Sequence, residues 1–290
     1  MLYNDQISAP GLQPKLSQKD FDLISKFIIE EYGINISQSK RSLLEYRLLN
    51  RIKELGFDSY ALYTKYLFSE KGQITEPLLL IDAVSTNKTE FFREVEHYNL
   101  LLTQILPDIH LKYAYNTDLH IWSAGCSSGE EVYSLAIILA KFKVLNHGFD
   151  FSVHGTDISK TVLQVAYRAI YPMPKTSVIR QKDLKDFFLV HKDPKNKTIR
   201  VNKQLRDKVS FAYLNLMDEK YKTPRDYPII FCRNTLIYFN QENKTKVVKR
   251  LCKRLTPGGY LFISHTESLL QSIPGLKLVY PSVYQKVSST

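Results

Sequence analysis

The chain has 290 residues, about 44% of them hydrophobic, and a formal charge of +11, so it can form one or two packed domains and is expected to meet an acidic partner. Its three widely spaced cysteines imply neither a disulfide framework nor a zinc site, and its longest apolar run, residues 135–140, is far too short to span a bilayer. No signal-peptide pattern is evident, so we expect a cytoplasmic protein without direct membrane insertion.

The first part of the chain predicts an all-helical domain. Residues 1–16 contain two prolines and a glycine without any periodic pattern, which is typical of a flexible tail. Residues 17–85 then contain four helical patterns, the first of them opened by Ser17 as an N-cap. The second has an apolar stripe that includes Leu44 and Leu48, and Gly56 closes it.

Strand patterns alternate with helical patterns after about residue 118. This alternation predicts an α/β fold, with a doubly wound and mostly parallel sheet. The last pattern, residues 276–287, consists of two short strands around Pro281 and predicts an antiparallel hairpin at the sheet edge. Strands are predicted at 119–125, 151–157, 208–214, 227–232 and 258–264.

Residues 172–208 interrupt the alternation and predict a small subdomain inserted into the sheet domain of residues 86–290. The segment contains a helical pattern at 183–190 and a basic strand pattern at 198–202. Lys175 to Lys208 hold 11 basic and 4 acidic residues, a net charge of +7, which indicates an acidic partner.

The predicted strand ends have the residues expected of a nucleoside site. Ligands of doubly wound sheets bind beyond the carboxyl ends of the strands. Gly125 and Gly129 follow the first strand, but their spacing fits neither a dinucleotide fingerprint nor a phosphate-binding loop. Glu131, with the acidic residue before it, would repel a phosphate and suit a cationic group, or simply stabilise the helix dipole. Asp157 could bind a ribose or cap the next helix, and together these features favour S-adenosylmethionine.

Five segments in a fixed order resemble the CheR family of chemotaxis protein methyltransferases, which methylate receptor glutamates with S-adenosylmethionine. The resemblance covers nearly the whole chain and implies a class I methyltransferase-like fold, in which the inserted segment is a β-subdomain. The two most specific segments are TEFFRE and CRNTLIYF. The five segments are residues 86–98, 122–136, 155–159, 211–218 and 231–239.

The resemblance also implies a set of cofactor-binding residues. They are Asn87, Thr89, Arg93, Glu131, Asp157, Asn215, Leu216, Arg233 and Asn234, to which the glycine loop adds Ser123, Ala124 and Gly125. Two departures stand out. Val132 replaces a proline that often follows the two glutamates, and residues 191–198 lack the glycines of members that dock on a receptor tail peptide.

Esterification of a glutamate predicts a site without a general base, because the carboxylate is already ionised at neutral pH. We predict Arg93 and Tyr238 as catalytic residues that orient the substrate and cofactor carboxylates. Arg93 could instead serve the methionine end of the cofactor, and Tyr238 could be a packed aromatic. His265 is expected to be structural, S-adenosylhomocysteine is the expected product, and no metal is predicted.

The partner is expected to be a chemoreceptor cytoplasmic domain that binds a monomeric enzyme. Lys40, Arg47 and Arg51 lie on neighbouring turns of one helix and could grip an acidic receptor bundle, or form an ordinary solvated face. The inserted subdomain could also bind a receptor tail peptide. Two alternatives stay open: a nucleic-acid methyltransferase, suggested by a pI near 9.3, and a cofactor-binding adaptor without activity. Against nucleic acid, residues 231–234 offer neither an acid nor a stacking ring beside the asparagine.

Overall fold

The computed structural model describes residues 14–112, 116–193, 195–267, 269 and 273–287. The tail predicted for residues 1–16 therefore lies mostly outside the described residues. At its end the prediction is wrong for Leu16, whose side chain is buried and whose N–H donates to Glu45 at 3.3 Å. The chain divides into two compact units: residues 1–31 with 35–84, and residues 32–34 with 85–290.

The first unit is helical, and its helices follow from capping and apolar stripes. The Ser17 hydroxyl accepts the N–H of Asp20 at the start of the first helix. Leu44 and Leu48 form the buried stripe of the second, and Gly56, with a φ of 68°, lies just beyond its end. The four helices are α1 (Gln18–Tyr32), α2 (Arg41–Glu54), α3 (Tyr60–Leu67) and α4 (Glu70–Val84).

A buried ion pair holds α2, α3 and α4 together. Glu76 is fully buried, and Arg51 donates to both of its carboxylate oxygens at 2.9 and 2.7 Å. The Tyr63 hydroxyl donates to the same carboxylate at 3.0 Å. Arg47 donates to the carbonyl of Val84, so two of the three predicted docking cations have partners inside the unit, whereas Lys40 is exposed.

The second unit contains a seven-stranded sheet and its covering helices. The helices are α5 (Val95–Leu100), α6 (Leu106–Lys112), α7 (Glu130–Leu145), α8 (Lys160–Arg168), α9 (Gln181–Phe187), α10 (Lys203–Arg206) and α11 (Gln241–Arg254), with a π-helical turn at Leu101–Ile105. The strands are β1 (Thr117–Ala124), β2 (Phe149–Asp157), β3 (Ile170–Pro172), β4 (Phe188–Val190), β5 (Thr198–Val201), β6 (Val209–Tyr213), β7 (Tyr227–Phe231), β8 (Leu255–Phe262), β9 (Leu276–Tyr280) and β10 (Val283–Lys286).

The sheet order is β6-β2-β1-β7-β8-β10-β9, and the first five strands are parallel. The central strands are buried on both faces because helices cover both, as Ile121 and Trp122 on β1 show. β10 pairs antiparallel with β8 and β9, which confirms the hairpin predicted at the edge. The chain reverses direction across the sheet between β1 and β7, so the binding crevice is expected there.

The inserted segment forms a separate antiparallel sheet in the order β3-β5-β4. The helix predicted over 183–190 ends early, at Phe187. Phe188 instead pairs with Val201, and its ring packs against Phe91 with centroids 5.7 Å apart. Pairing with a distant strand and burial of the ring therefore override the local helical pattern.

Within the part of the chain that the structure describes, no helix combines the length and the apolar content that crossing a membrane requires.

Replacing Arg51 by methionine should destabilise the helical unit by about 3–5 kcal/mol, since the Glu76 carboxylate would stay buried without its cation. Urea unfolding followed by circular dichroism measures the change. Lys26→Met is the matched control, because Lys26 and Glu30 are exposed and 3.9 Å apart, and such pairs contribute at most about 1 kcal/mol. Equal effects of the two substitutions would contradict this account.

Candidate functional site

The residues that follow four neighbouring strands meet at one edge of the sheet. The strand order places the ends of β6, β2, β1 and β7 side by side. The N–H groups of Gly125 and Cys126, just after β1, donate to the carbonyl of Thr156 at 2.8 and 2.9 Å. The N–H of Leu214, just after β6, donates to the carbonyl of Asp157 at 3.0 Å. These contacts hold the strand ends in fixed register.

Arg233 is the centre of the largest polar network at this edge. Its side chain is buried and its guanidinium donates in three directions. Nε donates to Glu131 at 2.9 Å, Nη1 to His97 Nδ1 at 3.0 Å, and Nη2 to the carbonyl of Arg93 at 2.7 Å. The guanidinium also lies over the ring of Tyr98, 5.3 Å from its centroid. Arg233 thus joins β7, α7 and the 93–98 segment.

The two glutamates at the start of α7 both have partners within the protein. Glu131 accepts from the Ser123 hydroxyl at 2.7 Å in addition to Arg233. Glu130 accepts from the Ser128 hydroxyl at 2.7 Å and pairs with Lys175. Their role in the described structure is to neutralise buried cations and to anchor the loop after β1.

Asp157 is a buried carboxylate held at the end of β2. Its two oxygens accept the backbone N–H groups of Ser127 at 2.8 Å and Ser159 at 2.9 Å. Ser159, not Asp157, is the N-cap of α8, because its hydroxyl accepts the N–H of Val162. A carboxylate accepts about four hydrogen bonds, so Asp157 can also receive hydroxyl donors from a ligand.

Backbone strain is concentrated at this edge. Of the six non-glycine residues with a left-handed φ in the described ranges, four lie here: Phe92, Glu94, Ser127 and Asn234, with φ of 53°, 54°, 48° and 56°. Each such residue costs about 1–3 kcal/mol and needs a surrounding structure that holds it. The Ser134 hydroxyl accepts the N–H of Phe92 at 2.9 Å, and Arg233 holds the next carbonyl.

Gly125 is required by the protein itself. Its φ is 84°, and a Cβ at this position would lie 2.3 Å from the Thr235 hydroxyl oxygen. The glycine therefore permits close packing of the loop after β1 against the loop after β7, at the crevice between these strands.

Glu94 connects three segments through its carboxylate. One oxygen accepts from the Ser264 hydroxyl at 2.6 Å and from the Asn234 amide at 3.3 Å, and the other is 3.9 Å from Arg233. Burial raises the pKa of Glu94, but the Ser264 hydroxyl and the Arg233 cation outweigh burial and lower it below its ordinary value. Glu94 is therefore an anion at neutral pH.

His97 is buried beside this pair and is neutral at physiological pH. Burial, and then the Arg233 cation, lower its pKa to about 4. Ligand atoms of Glu94, His97 and His265 lie within 4.8 Å of one another, a separation at which side chains can share a metal ion. Arg233 already donates to Nδ1 of His97 and brings positive charge into the cluster, so the chemistry favours an ion-pair network over a bound cation.

The remaining predicted residues lie along the same edge. The carbonyl of Asn87 accepts from the Ser127 hydroxyl at 3.1 Å, and the half-buried Arg93 side chain donates to the carbonyl of Lys88 at 3.2 Å. Tyr238 lies in a short 3-10 turn, Leu236–Tyr238, and its hydroxyl donates to the carbonyl of Thr86 at 3.4 Å. The others are Thr89, which is half-buried, and Ala124, Asn215 and Leu216, which are buried.

Sequence reasoning overlooked several polar residues of the network. Glu94 belongs to a segment already singled out for its resemblance, but its role was not foreseen. Ser264 and Glu267 follow β8 on either side of His265, which was considered alone. Polar residues directly after a buried strand were the available signal, because that position faces the crevice.

Comparison with known proteins agrees with this geometry. Residues 87–281 match the family model described as CheR methyltransferase, SAM binding domain, and residues 19–84 match the CheR methyltransferase all-alpha domain. The chain is 34% identical to a chemotaxis protein methyltransferase of Borreliella burgdorferi, over 95% of this chain and 97% of that protein. It is 31% identical to the Salmonella typhimurium protein of the same name, over 93% and 90%. A solved S-adenosylmethionine-dependent methyltransferase from Clostridium acetobutylicum is 14% identical, covers 57% of this chain and 49% of its own, and has a TM-score of 0.32.

The free energy of unfolding should decrease as the pH falls from about 6.5 towards 4, because unfolded His97 binds a proton in that window and folded His97 does not. The contribution is roughly 2–3 kcal/mol. Histidine NMR titration should place the His97 transition near pH 4, and denaturant unfolding across pH measures the stability. His97→Gln should remove this component, whereas the exposed His191→Gln should keep it. A His97 titration near pH 6.5 would contradict the assignment.

Proposed function

We propose, given that this chain belongs to the CheR family of chemotaxis methyltransferases, that it methylates glutamate side chains of a chemoreceptor cytoplasmic domain. The product would be a glutamate methyl ester, formed with S-adenosylmethionine as the methyl donor. The carrying observation is the position of Arg93. It lies between two strained residues in a segment that Arg233, Ser134 and Glu94 hold against the sheet crevice.

The residues at the crevice fit a nucleoside that carries an amino-acid end. Asp157 is a fixed, buried acceptor at the end of β2, where a ribose is commonly bound. The glycine loop after β1 and the buried Asn215 and Leu216 after β6 flank it. S-adenosylmethionine, when bound, supplies a methyl group on a positively charged sulfur.

The chemistry requires orientation and a water-poor crevice rather than a base. A glutamate carboxylate is already ionised at neutral pH, since its ordinary pKa is about 4.3. His97, the buried histidine at the edge, is committed to Arg233. In the proposed reaction a carbon–oxygen bond forms, a carbon–sulfur bond breaks, and the two opposite charges disappear. Proximity and low polarity therefore favour the reaction.

Arg93 and Tyr238 are the residues we assign to orienting carboxylates. Arg93 has a half-buried guanidinium with a forked set of donors, and its protein contact is with one backbone carbonyl. The Tyr238 hydroxyl reaches the backbone of the same 86–94 segment, so both side chains belong to one wall of the crevice. We assign cofactor binding to Asn87, Thr89, Glu131, Arg233 and Asn234 through this shared wall.

Receptor docking is assigned to the exposed Lys40 rather than to the cations behind it. Arg51 is needed to neutralise Glu76, and Arg47 donates to the carbonyl of Val84. Loss of receptor binding in an Arg51 variant would therefore be confounded by loss of stability. A monomeric enzyme acting in the cytoplasm, with or without a receptor tail peptide, remains part of the proposal.

The decisive experiment incubates the enzyme with methyl-labelled S-adenosylmethionine and recombinant chemoreceptor cytoplasmic fragments. The expected product releases labelled methanol in base, as a carboxyl methyl ester does. Parallel reactions contain tRNA and duplex DNA. Label in nucleic acid and none in receptor would overturn the proposal.

Arg93→Ala should lower the rate of methyl ester formation by at least 100-fold, because the carboxylate it orients would lose a charged, two-pronged donor. The thermal midpoint should change little, since the Arg93 side chain donates only to an exposed carbonyl in the described structure. Arg180→Ala is the control, as Arg180 is exposed and pairs with Asp183 in the inserted segment. Unchanged turnover in the Arg93 variant would remove Arg93 from the site.

A further inference from the structure

Glu267 is a buried carboxylate that ties the loop after β8 to the loop after β7. One oxygen accepts the N–H of Ser264 at 2.8 Å and the N–H of Asn234 at 3.3 Å. The other oxygen accepts the N–H of Ile237 at 3.1 Å. A single side chain thus binds three backbone donors on two segments that are about thirty residues apart in sequence.

The partners of Glu267 set it apart from the other buried acids of the crevice. Glu131 is paired with Arg233, and Glu130 with Lys175. Among the described residues, the groups that act on Glu267 are backbone N–H groups. Burial raises its pKa and these N–H groups lower it, with burial the larger effect. Keeping an uncompensated carboxylate there is costly, so its contacts need a purpose beyond neutralising a cation.

The contacts of Glu267 determine the shape of the loop after β7. Asn234 has a left-handed φ of 56°, which costs about 1–3 kcal/mol and requires a partner that holds it. The Asn234 amide also donates to the Ser264 hydroxyl at 2.7 Å, which itself donates to Glu94. The Ile237 N–H lies in the first turn of the 3-10 segment that ends with Tyr238. Glu267 therefore fixes both the strained residue and the turn after it.

We propose that Glu267 is a positioning residue for methyl transfer, which holds Asn234 and Tyr238 in the orientation that faces the cofactor. The inference rests on the site proposed above. Glu267 touches neither substrate nor cofactor in this account. It acts through the backbone of residues 234–237, and its effect on rate passes through Tyr238.

The test compares Glu267→Gln with Glu242→Gln, an exposed glutamate on α11 that pairs with Lys246 one turn away. The amide is isosteric, but its NH2 group faces backbone N–H donors and cannot accept from them. We expect kcat to fall at least tenfold and affinity for S-adenosylhomocysteine, measured by calorimetry, to fall at least fivefold. The control should change neither value by more than twofold. Assays are run well below the thermal midpoint of each variant.

A double-mutant cycle with Tyr238→Phe separates positioning from general destabilisation. If Glu267 acts through Tyr238, the double variant should have a kcat within about twofold of the lower single variant. Independent losses that multiply, or an unchanged kcat in folded Glu267→Gln, would overturn the proposal. If the Gln variant does not fold, Ser264→Ala, which removes the other support of Asn234, should lower kcat and cofactor affinity in the same direction, and unchanged values would overturn it.

The cofactor measurement keeps this inference separate from the proposed substrate. If wild-type enzyme methylates no receptor fragment, the proposed function fails, yet the affinity for S-adenosylhomocysteine still reports whether Glu267 orders the cofactor wall. An affinity that is equal in Glu267→Gln, the control and wild type would then reject the positioning role.

Discussion

The guanidinium of Arg233 is the interaction on which the candidate site depends. It is buried, and it binds a side chain of α7, the ring of His97 and the carbonyl of Arg93 at once. A buried cation is tolerated only when such partners surround it, so each of these segments is constrained by the same charge. The carboxylates of Glu94 and Glu131 compensate that charge and are themselves held by serine hydroxyls. The crevice is thus shaped by one satisfied polar network.

That network explains how strained backbone can persist at the site. Phe92, Glu94, Ser127 and Asn234 all have a left-handed φ, and each lies next to a buried polar group that holds its backbone or side chain. The strain is offset by hydrogen bonds to residues on other elements, so the loops cannot relax independently. Such a wall is pre-organised, as in-line transfer between two oriented groups requires.

Much of the fold was readable because burial on parallel strands and apolar stripes on helices leave period-specific patterns. The hairpin of β9 and β10 and the stripe of α2 are examples. The pattern was misleading at Phe188, where pairing with β5 and packing on Phe91 decided the conformation. It was also incomplete at Glu94 and Glu267, because their partners are distant in sequence and no local period records them.

The sequence by itself determined the order of strands and helices, the family, and which residue types follow each strand. Periodicity and motif spacing are local properties, so a linear chain carries them openly. Only the tertiary structure decided that Arg233 and Glu131 neutralise each other, that Gly125 makes room for Thr235, and that Arg51 serves a buried glutamate. Those roles depend on which groups share a low-dielectric interior, and that is a property of three-dimensional packing.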